Sequence, residues 1–223
     1  MSNLIISKIF YINLSCRQDR DQFMRKQLNR YGIPFERFQA IELTKEDLVN
    51  SDGIYHSYFK RMVERFQNNI NDEKYTRSII ANFSVYFSHY TIHKIASKLN
   101  FDNYLILEDD CLLRRQWQNI LHNAIDSKID KFDIIRSYRR NRFFKFDNCT
   151  WQSKYANDKS HNMSDGAHAI FVNGKSSQKI VDYFDSDFVY NIDAVYNTHI
   201  LDSYCLHFGK QKGSLGSDIP RPF

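Results

Sequence analysis

The chain has 223 residues, 42% hydrophobic and 26% charged; that is the length of one domain at the usual ~100–200 residues, with enough apolar surface to exclude a disordered chain. Its 7 Gly and 3 Pro exclude collagen-like and Gly/Pro-rich classes, and no apolar run reaches the ~18 residues of a membrane-spanning helix. The net charge of +5 suits an anionic partner, whether nucleotide, membrane surface or nucleic acid.

Met1 to Ile12 carries no basic n-region and no small-residue cleavage site, so the reading is a soluble, cytoplasmic chain without a signal peptide. Lys8 to Leu14 is short, β-branched and aromatic, and reads as a buried strand. From Gln18 to Tyr31, Phe23, Met24 and Leu28 recur at helical spacing, and Gly32 with Pro34 ends that helix. Phe35 to Ile41 alternates as a second strand, and Thr44 with Asp47 forms a capping box for a short helix. Residues 50–75 give no clear pattern. The longest helix is expected from about Tyr75 to Leu99, with Ile79, Ile80, Phe83, Phe87 and Tyr90 on one face. Asn103 to Leu107 is a continuous apolar strand ending in Glu108-Asp109-Asp110. A helix from Trp117 to Ile125, a strand at Phe132–Ile135, a strand at Ala167–Val172, and Gly174 with a helix to Phe184 complete the pattern. Alternation of this kind predicts an α/β fold with a mainly parallel central sheet and helices on both faces, as a single domain over 1–223. Ligands of such sheets lie beyond the carboxyl ends of the strands.

That rule points to Glu108-Asp109-Asp110. Three carboxylates after a buried strand raise one another's pKa, and a divalent cation removes that cost. Hard oxygen ligands suit Mg²⁺ or Mn²⁺, which also take phosphate oxygens from a substrate. If the strand continues to Asp110, Glu108 and Asp110 share one face and Asp109 takes the other. The plainer alternative is a solvated acidic turn capping the next helix. Cys16, Cys111, Cys149 and Cys205 form no C-x-x-C pair, which excludes zinc-ribbon and thioredoxin-like chemistry and fits a reducing compartment. His89 and His93 share a helix face, but no H-E-x-x-H order supports a zinc site. Asn13, Arg17 and Arg20 follow the first strand, where they suit phosphate or ribose; the alternative for the arginines is pairing with Asp19 and Asp21.

Tyr11-Ile12-Asn13-Leu14, Arg17, Asp19-Arg20 and Gly32 to Phe38, with Ala40-Ile41, resemble the opening of glycosyltransferase family 25, the bacterial lipooligosaccharide and lipopolysaccharide galactosyltransferases. Ser88-His89 and Leu107-Glu108-Asp109-Asp110 are similar to the family's second block. Gly166 to Ile170, Gly174 and Ile192-Asp193 are similar to its third. The chain departs from the family at Ala81 and Ser84, where glycines are usual, and at the bulky Tyr86-Phe87 pair.

The resemblance implies a GT-A-like nucleotide-binding sandwich. It implies a UDP-hexose donor, galactose first, with Mn²⁺ or Mg²⁺ on Glu108 and Asp110. It further implies nucleotide contacts from Asn13, Arg20, Ser88, His89, Glu108 and Asp109. An inverting transfer needs a carboxylate base; Asp193 matches the family's later Asp and is the first choice, with Asp165 second. The implied acceptor is a lipid-linked oligosaccharide, met through a peripheral contact with the cytoplasmic face of the inner membrane. Arg136, Arg139, Arg140, Arg142 and Lys145, interleaved with Tyr138, Phe143, Phe144 and Phe146, suit that contact, while the plainer reading is a charged β-hairpin. Two rival classes use the same residues. A metal-dependent nuclease or nucleic-acid-binding protein predicts salt-steep affinity for DNA or RNA, whereas the transferase predicts no nucleic-acid partner. An inactive sugar-nucleotide or glycan-binding module predicts binding without turnover.

Overall fold

The computed structural model describes residues 6–49, 73–128, 131–137, 151–152, 167–186, 192–196 and 200–212. Its centre is a seven-stranded sheet. β1 (Lys8–Asn13) pairs in parallel with both β2 (Phe35–Gln39) and β3 (Asn103–Glu108). β7 (Ala169–Asn173) lies antiparallel between β3 and β5 (Ile134–Arg136). β8 (Ser203–Cys205) runs parallel to β5, and β6 (Trp151–Gln152) closes the far edge antiparallel. A separate antiparallel pair joins β4 (Cys111–Leu113) to β9 (Gly209–Gln211). The expected α/β sandwich is present, with one correction: the sheet is mixed rather than mainly parallel, because β7 and the edge strand β6 run in the opposite direction.

The strand most central to the site, β3, is buried and apolar from Tyr104 to Leu107 because both its faces are covered there. Tyr104 and Ile106 of β3 face α3 (Glu73–Leu99), where Phe83, Tyr86, Phe87 and Ile92 pack on them together with α5 (Ser177–Ser186). Leu105 and Leu107 face the other way, onto Met24 and Leu28 of α1 (Gln18–Leu28) and Trp117 and Leu121 of α4 (Trp117–Lys128). The core is thus two layers, one on each side of the sheet.

Local chemistry explains the boundaries. α1 carries Asp19 and Asp21 in its first turn and Arg25 and Lys26 in its last, which complements the helix dipole. Gly32 follows at φ +64, a backbone state that glycine adopts without penalty, and turns the chain into β2. The Thr44–Asp47 capping box forms: the Thr44 N–H donates to the Asp47 carboxylate at 2.7 Å and the Asp47 N–H to Thr44 Oγ1 at 3.1 Å. It opens α2 (Lys45–Val49). Gly174 starts a 3₁₀ turn whose backbone passes so close to Phe101 that a Cβ would overlap the Phe101 carbonyl oxygen. The unpatterned residues 50–72 lie outside the described residues, as do 138–150.

Candidate active site

Two successive residues end β3 and begin the site. Glu108 is the last residue of the strand, opposite Ile12, and its N–H donates to the carbonyl of buried His168 at 3.0 Å. Asp109 and Asp110 form a turn before β4. The strand therefore stops earlier than simple alternation to Asp110 requires, yet Asp109 still turns to the α1 face.

There Asp109 is held on both oxygens. Arg20 Nη1 donates to its Oδ1 at 2.6 Å and Asn13 Nδ2 to its Oδ2 at 2.8 Å. Arg20, Asn13 and Asp109 are 5%, 1% and 6% exposed. A charge pair this deep holds its position only because each partner neutralises the other. Asn13 is oriented in turn by Arg37, whose Nε donates to Asn13 Oδ1 at 2.8 Å. Two helical turns beyond Arg20, Gln27 clasps β4 on both sides: its Nε2 donates to the Cys111 carbonyl at 3.0 Å, and its Oε1 accepts from the Leu113 N–H at 2.8 Å. The Lys212 N–H donates to the Asp110 carbonyl at 2.8 Å. Burial, and then the Asp110 and Glu108 carboxylates, push the Cys111 thiol up, so it stays protonated beneath this acidic turn.

A cavity of about 410 Å³ opens beside the turn, at the carboxyl ends of β1 and β3. Its walls include Glu108, Asp109, Asp110, Arg20, Leu14, the 40–43 loop and a stripe of α3 formed by Arg77, Ala81, Ser84 and Ser88. The loop is fixed to that stripe by two hydroxyls one helical turn apart. Ser88 Oγ accepts from the Ile41 N–H at 2.9 Å, and Ser84 Oγ accepts from the Leu43 N–H at 3.0 Å. Each hydroxyl proton goes back to a carbonyl of α3, on Ser84 and Ile80 respectively. Ala81 and Ser84, noted in the sequence as departures, thus belong to the cavity wall.

The structure brings together Asn13, Arg20, Ser88, Glu108, Asp109 and Asp110 of the residues singled out in the sequence. Arg17 instead pairs with Asp19 at 2.9 Å on the helix surface. His89, expected beside the nucleotide, is fully buried and hydrogen-bonds through Nδ1 to the Tyr196 hydroxyl at 2.9 Å. His93 reaches the same hydroxyl through Nε2 at 2.7 Å. Burial lowers the His89 pKa to about 3 and takes His93 well below its usual value, so both rings are neutral. Asp193 lies in α6 (Ile192–Val195), half-buried and three residues before Tyr196. Burial, with the Tyr104, Asp193 and Glu108 charges next, pushes the Tyr196 phenol up. Arg136 is buried, with Nε donating to Cys205 Sγ at 3.1 Å, rather than part of a basic surface. Asp165 and the rest of the basic–aromatic run lie outside the described residues.

Gln27, Arg37 and Arg77 are the contributors that sequence reasoning passed over. Arg20 and Gln27 share the buried side of α1 with Met24, and 77, 81, 84 and 88 fall on one stripe at helical spacing. Those spacings were the available signal.

Glu108 and Asp110 both line the cavity, and carboxylate oxygens are the donor type that Mg²⁺ or Mn²⁺ takes together with substrate phosphate. Among the described residues, no group of three His, Cys, Asp or Glu side chains is placed to hold a metal by itself. Nor is any helix there long and apolar enough to cross a membrane.

The profile of glycosyltransferase family 25 (LPS biosynthesis protein) matches residues 6–195. Procollagen galactosyltransferase 1-B of Xenopus laevis is 29% identical over 134 residues, 57% of this chain and 20% of that protein, so the match spans about a fifth of that relative. Among solved structures, a glycosyltransferase involved in glycosylation of the major capsid of PBCV-1 aligns over 89% of this chain and 72% of its own, with 10% identity and a TM-score of 0.37. The apo form of the glycosyltransferase GlyE of Streptococcus pneumoniae TIGR4 aligns over 89% of this chain and 44% of its own, with 12% identity and a TM-score of 0.42.

Proposed function

The chain belongs to glycosyltransferase family 25, and from that premise we propose that it transfers a hexose, galactose first, from a UDP-sugar to a glycan acceptor with inversion. The observation that carries the reading is the cavity that places Glu108, Asp109 and Asp110 opposite the Ser84–Ser88 stripe of α3. Its volume falls within the ~300–1,000 Å³ of small-molecule sites.

In this reading Asp109 is the strut of the acidic turn, tied to Arg20 and Asn13, while Glu108 and Asp110 present oxygens to a divalent cation on the donor diphosphate. When bound, that cation stabilises the charge that develops on the leaving diphosphate. The loop at 40–43, held by Ser84 and Ser88, walls the space for the nucleoside. The acceptor hydroxyl attacks the anomeric carbon, the bond from that carbon to the UDP oxygen breaks, and UDP leaves with the electron pair. The hydroxyl proton passes to the Asp193 carboxylate. The acceptor is a lipid-linked oligosaccharide reached at the cytoplasmic face of the inner membrane, with Arg139, Arg140, Arg142 and Lys145 and the aromatic residues among them as the contact, without the buried Arg136.

A thermal-shift panel of UDP, GDP, CMP and UDP-sugars, with and without Mn²⁺, tests the donor. A donor nucleotide at ~100 times its Kd stabilises the fold by ~2.7 kcal/mol. UDP alone of the nucleotides, and only with the metal, is the expected response. Transfer assays with an oligosaccharide and with a procollagen peptide then separate the two acceptor classes; transfer to the peptide alone removes the lipid-linked reading.

A further inference from the structure

We propose that Tyr196 is a positioning residue, its phenol gripped by His89 and His93 so that the turn carrying Asp193 is held at a set place against the strand that carries the acidic turn. This rests on the reading of Asp193 as the base.

Five buried side chains form a hydrogen-bonded chain with a set proton order. Ser177 Oγ donates to the Tyr104 hydroxyl oxygen at 3.2 Å. The Tyr104 proton then goes to His93 Nδ1, 2.6 Å away. A neutral imidazole that accepts on Nδ1 carries its proton on Nε2, and His93 Nε2 is 2.7 Å from the Tyr196 hydroxyl. Tyr196 passes its own proton to His89 Nδ1 at 2.9 Å. Each phenol accepts once and donates once, so the pattern admits one arrangement of hydrogens given its first donor.

The chain also joins the elements that matter. Tyr104 is on β3, four residues before Glu108 and on the same face of the strand. His89 follows Ser88 on α3, and Ser88 holds the cavity wall through Ile41. Tyr196 caps the turn that contains Asp193, its N–H donating to the Ile192 carbonyl at 3.2 Å. Through two rings of α3 the Tyr196 hydroxyl is referred both to the acidic strand and to the donor cavity. A hydrophobic Phe in its place would keep the packing and lose that reference.

The test is a double-mutant cycle of Tyr196→Phe and Asp193→Asn, with kcat measured on a UDP-hexose and an acceptor, and the Kd of UDP measured with Mn²⁺. Misplacement of a reacting group by ~1 Å can cost ~10²-fold, so Tyr196→Phe is expected to lower kcat about 10–100-fold while the UDP Kd stays within about twofold. The double variant is expected to be no slower than Asp193→Asn. Unchanged kcat in Tyr196→Phe, beside a loss in Asp193→Asn, overturns the positioning role alone. Multiplied losses in the double variant overturn it too, because Tyr196 then acts apart from Asp193. Full turnover in Asp193→Asn overturns the base reading and this proposal with it. Should Tyr196→Phe fail to fold, His89→Leu and His89→Asn answer the same question. The Asn oxygen stands in for Nδ1, so turnover is expected to recover from Leu to Asn, and equal turnover in the two overturns the proposal.

Discussion

Arg20 and Asp109 stand 89 positions apart in the chain and meet at 2.6 Å with almost no exposure to water. The pair locks the first helix to the turn that ends β3, and so sets where Glu108 and Asp110 stand. Asn13 completes the clamp from the end of β1, which makes the acidic turn the meeting point of three elements.

Removing one member of a buried pair leaves the other charge uncompensated. Arg20→Ala is expected to destabilise the fold by ~3–5 kcal/mol in urea denaturation. Adding Asp109→Asn to Arg20→Ala is expected to recover part of that loss, since the stranded charge is gone. A loss under ~1 kcal/mol in the single variant contradicts the clamp.

The cavity wall depends on hydroxyls of α3. Ser88→Ala removes the acceptor of the Ile41 N–H and is expected to cost ~1 kcal/mol of stability. It is also expected to weaken UDP binding by several-fold, with ~1.4 kcal/mol corresponding to tenfold. Calorimetric titration of UDP with Mn²⁺ checks this, and unchanged affinity would separate the 40–43 loop from the nucleoside.

The buried histidines give the fold a defined acid limit. His89 titrates at about 3 in the folded protein, and burial holds His93 well below its usual range as well. Above the unfolded value near 6.5 both states are neutral, and stability does not change through these groups. As pH falls below ~6.5 the unfolded chain takes up protons that the folded chain refuses, and each ring costs ~1.4 kcal/mol per pH unit. Denaturation at pH 7.5 and pH 5 is expected to differ by ~2–4 kcal/mol. Replacing His93 by Gln is expected to halve that difference, and equal stability at the two pH values contradicts the assignment.

Much of this was legible in the residues themselves. β3 reads as a continuous apolar run because α1 and α4 cover one face and α3 the other, and the acidic triplet marks its end because buried carboxylates need a reason. Strand direction was not legible. Nothing local in Ala169–Asn173 states that it lies antiparallel between β3 and β5, since that is decided by connections far away in sequence. Helical spacing correctly put His89 and His93 on one side of α3, but their shared partner, Tyr196, is 107 residues beyond His89. Spacing within a helix carries no information about such a partner. Likewise Arg20 could be placed near phosphate or near Asp19 and Asp21, while it proved to pair with the middle carboxylate of the acidic motif, in the turn that follows β3.

The most direct test of the central claim is a titration of UDP into the wild-type chain and into Asp110→Asn, with and without Mn²⁺. Wild type is expected to bind UDP only when the metal is present, and Asp110→Asn, still folded by circular dichroism, to lose at least ~10-fold in affinity under the same conditions. Metal-independent binding, or equal affinity in the variant, would contradict the assignment of the acidic turn as the divalent-cation site for the donor diphosphate.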